Sequence, residues 1–148
     1  MATNLFYLVI LTTILMSLTT SPSSKIEEDF GVIYSLKCGI NTLEVSPAAG
    51  QIFTIKIRGN ATTGYGWFLQ NRANIDTDAI QALNLNEYGS SQNYITDEHE
   101  EGMVGVGGYY YFKFKALKSG ASVSLVFIHK RPWETSPVRT VEVKVNIS

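Results

Sequence analysis

One cysteine, Cys38, stands alone among 148 residues, so no disulfide within the chain can staple the fold and a hydrophobic core must hold it. An excess of one charge is also missing: 12 Lys and Arg face 13 Asp and Glu, for a formal net charge of -1. With no basic run to track phosphates, nucleic acid is not an expected partner. Long apolar runs are scarce. The one that stands out, "LFYLVILTTILMSL" from Leu5 to Leu18, is shorter than the ~20 apolar residues of a bilayer-spanning helix. The small and polar "TTSPSSK" follows it, a pattern that predicts a secretory signal over residues 1–21, removed between about 19 and 24. No Lys or Arg precedes the run, so an uncleaved signal anchor stays open as the alternative, and only in that form would the chain meet a membrane. The expected address is the secretory pathway, ending in a vesicle, a lysosome-like organelle or outside the cell.

A catalytic constellation is absent too. The nearest approach to a cysteine-nucleophile set is Cys38 with His99 and His129. Cys38 lies in "SLKCGI" and reads as a small buried residue, while His129 ends an alternating segment beside Lys130 and Arg131 and reads as a rim residue. The acidic "DEHEE" from Asp97 to Glu101 lacks the ligand spacing and turn glycine of a calcium loop. "GMVGVGG" from Gly102 to Gly108 resembles a phosphate cradle only superficially, because "YYYFKF" follows it and not a helix whose N-terminus could face an anion. No enzyme activity, metal or cofactor is expected.

What the chain does have is 45% hydrophobic residues, 17% charged residues and 12 glycines, the composition of one globular domain with many turns. Short apolar runs separated by turn residues predict an all-β domain over 42–148, after an N-terminal lead-in over 22–41. Strands are expected at 42–45, 51–58, 66–70, 80–88, 109–117, 122–129 and 138–147, about seven in two antiparallel sheets of a β-sandwich. Alternation is clearest where Tyr110, Phe112, Phe114 and Ala116 interleave with Tyr109, Tyr111, Lys113 and Lys115, and where Val141, Val143, Val145 and Ile147 interleave with Glu142, Lys144 and Asn146. "KSGAS", with Gly120 free to take positive φ, predicts a hairpin pairing the 109–117 and 122–129 strands. "DTDAIQALNLN" could instead open a short helix capped by Asp76 or Thr77 before any strand.

Three connections are unusual. "NATTGY" (Asn60, Ala61, Thr62, Thr63, Gly64, Tyr65), "GVGG" (Gly105, Val106, Gly107, Gly108) and "RPW" (Arg131, Pro132, Trp133) follow the second, fourth and sixth expected strands. In a Greek-key sandwich such connections gather at one end and form a loop-borne surface. Trp133 reads equally as an exposed anchor and as a side chain packed back on the sandwich.

Taken together, the three motifs resemble those of the chagasin-type inhibitors of papain-like cysteine peptidases, whose loops read approximately N-P-T-T-G-[YF], G-x-G-G and R-P-[WF]. The resemblance covers about residues 42–147. It implies an immunoglobulin-like β-sandwich, monomeric when free, that blocks a peptidase cleft reversibly and without a covalent bond. Thr62, Thr63 and Gly64 would form the central wedge, Gly105 to Gly108 and Trp133 would grip either side, and Asn60, Tyr65, Arg131 and Pro132 would shape the loops. Ala61 departs from the pattern, which has Pro there. That departure creates the glycosylation acceptor Asn60-Ala61-Thr62, and a second stands at Asn146-Ile147-Ser148. The Asn60 side chain could instead bond to its own turn. The rival reading is a secreted immunoglobulin-like adhesion or carbohydrate-binding module, for which aromatic Tyr109, Tyr110 and Tyr111 would suit sugars.

Overall fold

The computed structural model describes residues 29–148; the expected signal over 1–21 and the residues on to 28 lie outside it. Period-2 patterning dictates the architecture. Along β7 (Gly108–Ala116) every second residue is buried and those between are half-exposed, which gives the strand one apolar face to hide against a second layer. β3 (Ile52–Gly59), β8 (Ser122–Lys130) and β9 (Arg139–Asn146) likewise bury alternate apolar residues, Phe53, Ile55 and Ile57, Val123, Leu125 and Phe127, and Val141, Val143 and Val145, with Thr54 and Ile128 buried in addition.

Two sheets result. The remaining strands are β1 (Val32–Ser35), β2 (Thr42–Val45), β4 (Gly66–Leu69), β5 (Ile80–Ala82) and β6 (Asn93–Thr96). One sheet has the order β1-β3-β7-β5, with β6 also on β7; the other runs β2-β9-β8-β4. Aromatic rings dominate the interior: Phe53 stacks on Phe114 at 5.6 Å, and Phe112 meets Phe127 from the opposite sheet edge-on at 4.7 Å.

The sandwich and all-β class are as expected, but four details differ. First, the described residues form nine strands in two mixed sheets, because β1 runs parallel to β3 and β2 parallel to β9. β1 lies inside the region read as a lead-in. Its approach depends on Gly31 at φ 58°, where any Cβ would lie 1.9 Å from the Ile52 carbonyl oxygen. Second, Lys118 to Ser122 is not a hairpin. Gly120 does take φ 81°, but β7 already has β3 on one edge and β5 with β6 on the other, leaving β8 no edge to pair with. The chain therefore crosses to the other sheet.

Third, the strand expected over 80–88 stops at Ala82. The Asn84 carboxamide takes over the pairing of β7 there, donating Nδ2–H to the Tyr111 carbonyl at 2.7 Å and accepting the Lys113 N–H at 2.8 Å. The helix alternative reduces to one turn: the Asp76 carboxylate accepts the Asp78 N–H, and its carbonyl accepts those of Ala79 and Ile80. Fourth, Cys38 is exposed, not buried, because it lies in the turn that carries the chain from β1 in one sheet to β2 in the other.

Phe112→Ala should lower the unfolding free energy by about 3–5 kcal/mol, as for other fully buried phenylalanines, whereas Cys38→Ser should stay within about 0.5 kcal/mol of the parent. Urea unfolding measures both; a large loss for the serine variant would mean the thiol is packed.

Candidate functional site

The chain leaves β3 in one sheet and re-enters at β4 in the other, so the 60–65 connection straddles the gap between the sheets. The 97–107 connection from β6 to β7 lies within the first sheet, and the 131–138 connection from β8 to β9 within the second. All three lie at one end, since Gly59 pairs with Gly108, Thr96 pairs with Gly108, and Gly66 pairs with Lys130.

The central connection folds into a 3-10 turn over Ala61–Thr63. Asn60, extended at φ -134°, caps it: its Oδ1 accepts the Thr62 N–H at 3.1 Å and the Thr62 hydroxyl at 2.6 Å. The Thr63 hydroxyl donates back to the Asn60 carbonyl at 2.7 Å. Gly64 ends the turn at φ 79°, a left-handed conformation that a β-branched residue would strain. Thr62, Thr63 and Gly64 are exposed at the tip.

Each neighbour is tied to this turn. On one side Asn60 Nδ2 donates to the Gly105 carbonyl at 3.0 Å. The base of that loop is held to β3 by Arg58, which forks onto Asp97 at 2.6 and 2.8 Å; the guanidinium hydrogen bond holds the Asp97 carboxyl below its ordinary range. On the other side the Arg131 guanidinium lies 4.5 Å over the Tyr65 ring and 5.8 Å from the centre of the Trp133 ring, and Gly64 faces the Trp133 indole.

Beneath the loops, Trp67 and His129 face each other across β4 and β8 and stack at 4.8 Å. The Trp67 indole N–H donates to the Arg58 carbonyl at 2.9 Å, tying the start of β4 to the end of β3. His129 also packs 5.3 Å from Tyr65. Burial, reinforced by Arg139, pushes the His129 pKa down. The reading of His129 as a rim residue thus needs correcting: it is half-buried support for Tyr65.

The structure thus brings together Asn60, Thr62, Thr63, Gly64, Tyr65, Gly105, Arg131 and Trp133. Trp133 is 72% exposed, so it does not pack back on the sandwich. Val106 and Gly107 are half-exposed and Pro132 exposed. Gly108 does not join the surface. It is buried at the head of β7, where a Cβ would lie 2.3 Å from the Ile95 carbonyl oxygen. Sequence reasoning missed Met103 and Val104, which are 60% and 92% exposed on the same loop; two apolar residues within a glycine-rich connection were the available signal. The tyrosines suggested for sugars are engaged: Tyr110 is buried, Lys56 lies 4.2 Å over Tyr109, and Phe30 packs 4.9 Å from Tyr111.

The sequence model of the chagasin family peptidase inhibitors matches residues 46–147. Amoebiasin-1 of Entamoeba histolytica is 30% identical over 108 residues, covering 72% of this chain and 92% of its own. The crystal structure of EhICP2, a cysteine protease inhibitor from Entamoeba histolytica, is 27% identical with a TM-score of 0.55, over 79% of this chain and 95% of its own. The solution structure of Amebosin matches at 27% identity and a TM-score of 0.54, over 79% of this chain and 98% of its own.

Because the folded pKa of His129 lies below its ordinary value, the folded state binds fewer protons there than the unfolded state. Its contribution to stability is fully present above about pH 6.5 and is lost as pH falls through the depressed folded pKa. Thermal melts between pH 8 and pH 5 should show that loss in the parent and a flatter profile in His129→Gln; parallel profiles would contradict the assignment.

Proposed function

This chain belongs to the chagasin family of peptidase inhibitors, and from that premise we propose that it blocks papain-like cysteine peptidases by inserting the three-loop end into the active-site cleft. The observation that carries the proposal is the tie between the loops. The exposed Thr62–Thr63–Gly64 tip is hydrogen-bonded through Asn60 to the Gly105 loop, and Tyr65 beside it packs under the Arg131 guanidinium of the Trp133 loop. Similarity to EhICP2, a cysteine protease inhibitor, supports the class of target.

The physical logic is that of a preformed plug. A turn whose polar groups already bond one another has little conformational entropy left to lose on docking. Thr62 and Thr63 add β-branched side chains with few rotamers and hydroxyls that can meet an active site. Apolar area flanks this polar tip, with Met103 and Val104 on one side and Trp133 on the other. A buried aromatic anchor beside a satisfied polar centre is the usual arrangement of a binding hot spot. Block is steric and reversible, with the inhibitor contributing no bond-making group. Entry into the secretory pathway, proposed from residues 1–21, would place the chain with peptidases of vesicles or of the exterior. A carbohydrate-binding reading has less support, because cationic side chains and Phe30 cover the outer tyrosine faces.

Titration of papain with the purified protein should abolish peptide hydrolysis. Trp133→Ala should weaken inhibition by about 2 kcal/mol or more, roughly thirtyfold, with the melting temperature nearly unchanged. Gly64→Val should weaken it more than Val106→Ala, since only the first disturbs a left-handed backbone. Undiminished inhibition by Trp133→Ala, or equal effects of the two loop variants, would count against this docking mode.

A further inference from the structure

We propose that Asn60 is an acceptor for an N-linked oligosaccharide, and that the chain glycosylated there is the inactive form of the inhibitor. The second half rests on the loop reading above. Asn60-Ala61-Thr62 satisfies the acceptor pattern and lies in the central loop, with Asn60 half-exposed and Ala61 and Thr62 exposed. In the transfer, the bond between C1 of the first sugar and its polyprenyl pyrophosphate carrier breaks, C1 bonds to Asn60 Nδ2, and Nδ2 releases one proton as the pyrophosphate leaves.

Folding alone does not protect this nitrogen. Its folded partner, the Gly105 carbonyl, is 45 residues farther along the chain; β1 pairs with β3 only as far as Lys56, and the ladder that holds the Gly59 end of β3 is with β7, which follows that carbonyl. At ~5–20 residues synthesised per second, Asn60 waits about 2–9 s before its partner exists. The sequon therefore passes a transferase as an open segment.

Once made, the modification conflicts with the site. Nδ2 has two hydrogens, and one is committed to the Gly105 carbonyl. The sugar replaces one of them. Either the tie between the loops is lost, or a bulky glycan leaves from the junction of two loops, beside the exposed Thr62 and the open space around Gly105. Neither state can enter a narrow cleft. Asn146-Ile147-Ser148 is the internal control. Asn146 pairs with Ser122 and accepts its hydroxyl hydrogen at 2.9 Å, seven residues along β9 from Arg139 and so about 23 Å from the loop end.

The test expresses the full chain in a glycosylating eukaryotic cell as the parent, Ala61→Pro and Asn146→Gln, and reads both asparagines in the lumenal or secreted protein by peptide mass spectrometry. Ala61→Pro removes the acceptor while keeping the Asn60 and Thr62 side chains. Proline suits the first position of the turn after an extended Asn60, at the loss of one long contact, the Ala61 N–H to the Tyr94 hydroxyl at 3.4 Å. The expected result is a glycan on Asn60 in the parent, and papain titration showing that fraction to inhibit at least about a hundredfold more weakly than Ala61→Pro, with melting curves showing both folded. Asn146→Gln should inhibit no differently from the parent. Protein reaching the lumen with Asn60 empty overturns the proposal, as does failure to reach the lumen or full inhibition by the Asn60-glycosylated fraction. If unglycosylated Ala61→Pro itself fails to inhibit, the loop reading falls and the second half of the proposal with it, while Asn60 occupancy still decides the first half.

Discussion

β7 is hydrogen-bonded along both edges, to β3 on one and to β5 and β6 on the other, and much of the molecule follows from that saturation. After Ala116 the chain has no edge to return along, so it crosses through the Gly120 turn and rejoins the second sheet at β8. The same two-sheet layout forces β3 to hand over to β4 across the gap. Hence the 60–65 turn lies over the seam, flanked by one connection from each sheet. The candidate site is the place where this topology brings three connections together.

Two kinds of interaction stiffen that end. Toward the first sheet the ties are polar and directional: Asn60 to Gly105, and Arg58 to Asp97. Toward the second they are aromatic, a column from Trp67 through His129 and Tyr65 to the Arg131 guanidinium and Trp133. The exposed Arg58–Asp97 pair contributes little to global stability, but it anchors to β3 the point where the glycine loop leaves β6. Stiffness here matters more for binding than for folding, because each degree of freedom already frozen is one that docking need not freeze.

Much of this was legible in the sequence because it depends on local chemistry. Period-2 alternation gave β7, β8 and β9, and Asn and Gly at either end of Ala61–Thr63 marked a tight turn. The illegible parts depend on partners distant in sequence. Nothing local in "VIYS" announces that it will run parallel to β3, and "KSGAS" suits a hairpin as well as a crossing between sheets. Asn84 looked like a strand residue because its replacement of backbone pairing on β7 requires knowing where Tyr111 and Lys113 lie. At the site, Asn60 bonds to the Gly105 carbonyl and Arg131 lies over Tyr65, contacts between motifs far apart in the chain. The burial of Gly108 and the exposure of Met103 and Val104 depended on where β7 begins, a boundary that alternation does not set.

The central claim is that the loop-bearing end, and no other face, meets the peptidase. Hydrogen–deuterium exchange of the inhibitor, free and saturated with a papain-like peptidase, tests it directly. The account predicts added protection confined to residues 60–65, 103–107 and 131–134, with the outer face of β3 and β7 unchanged. Protection concentrated on that outer face or along β1, with the three loops exchanging as in the free protein, would contradict it.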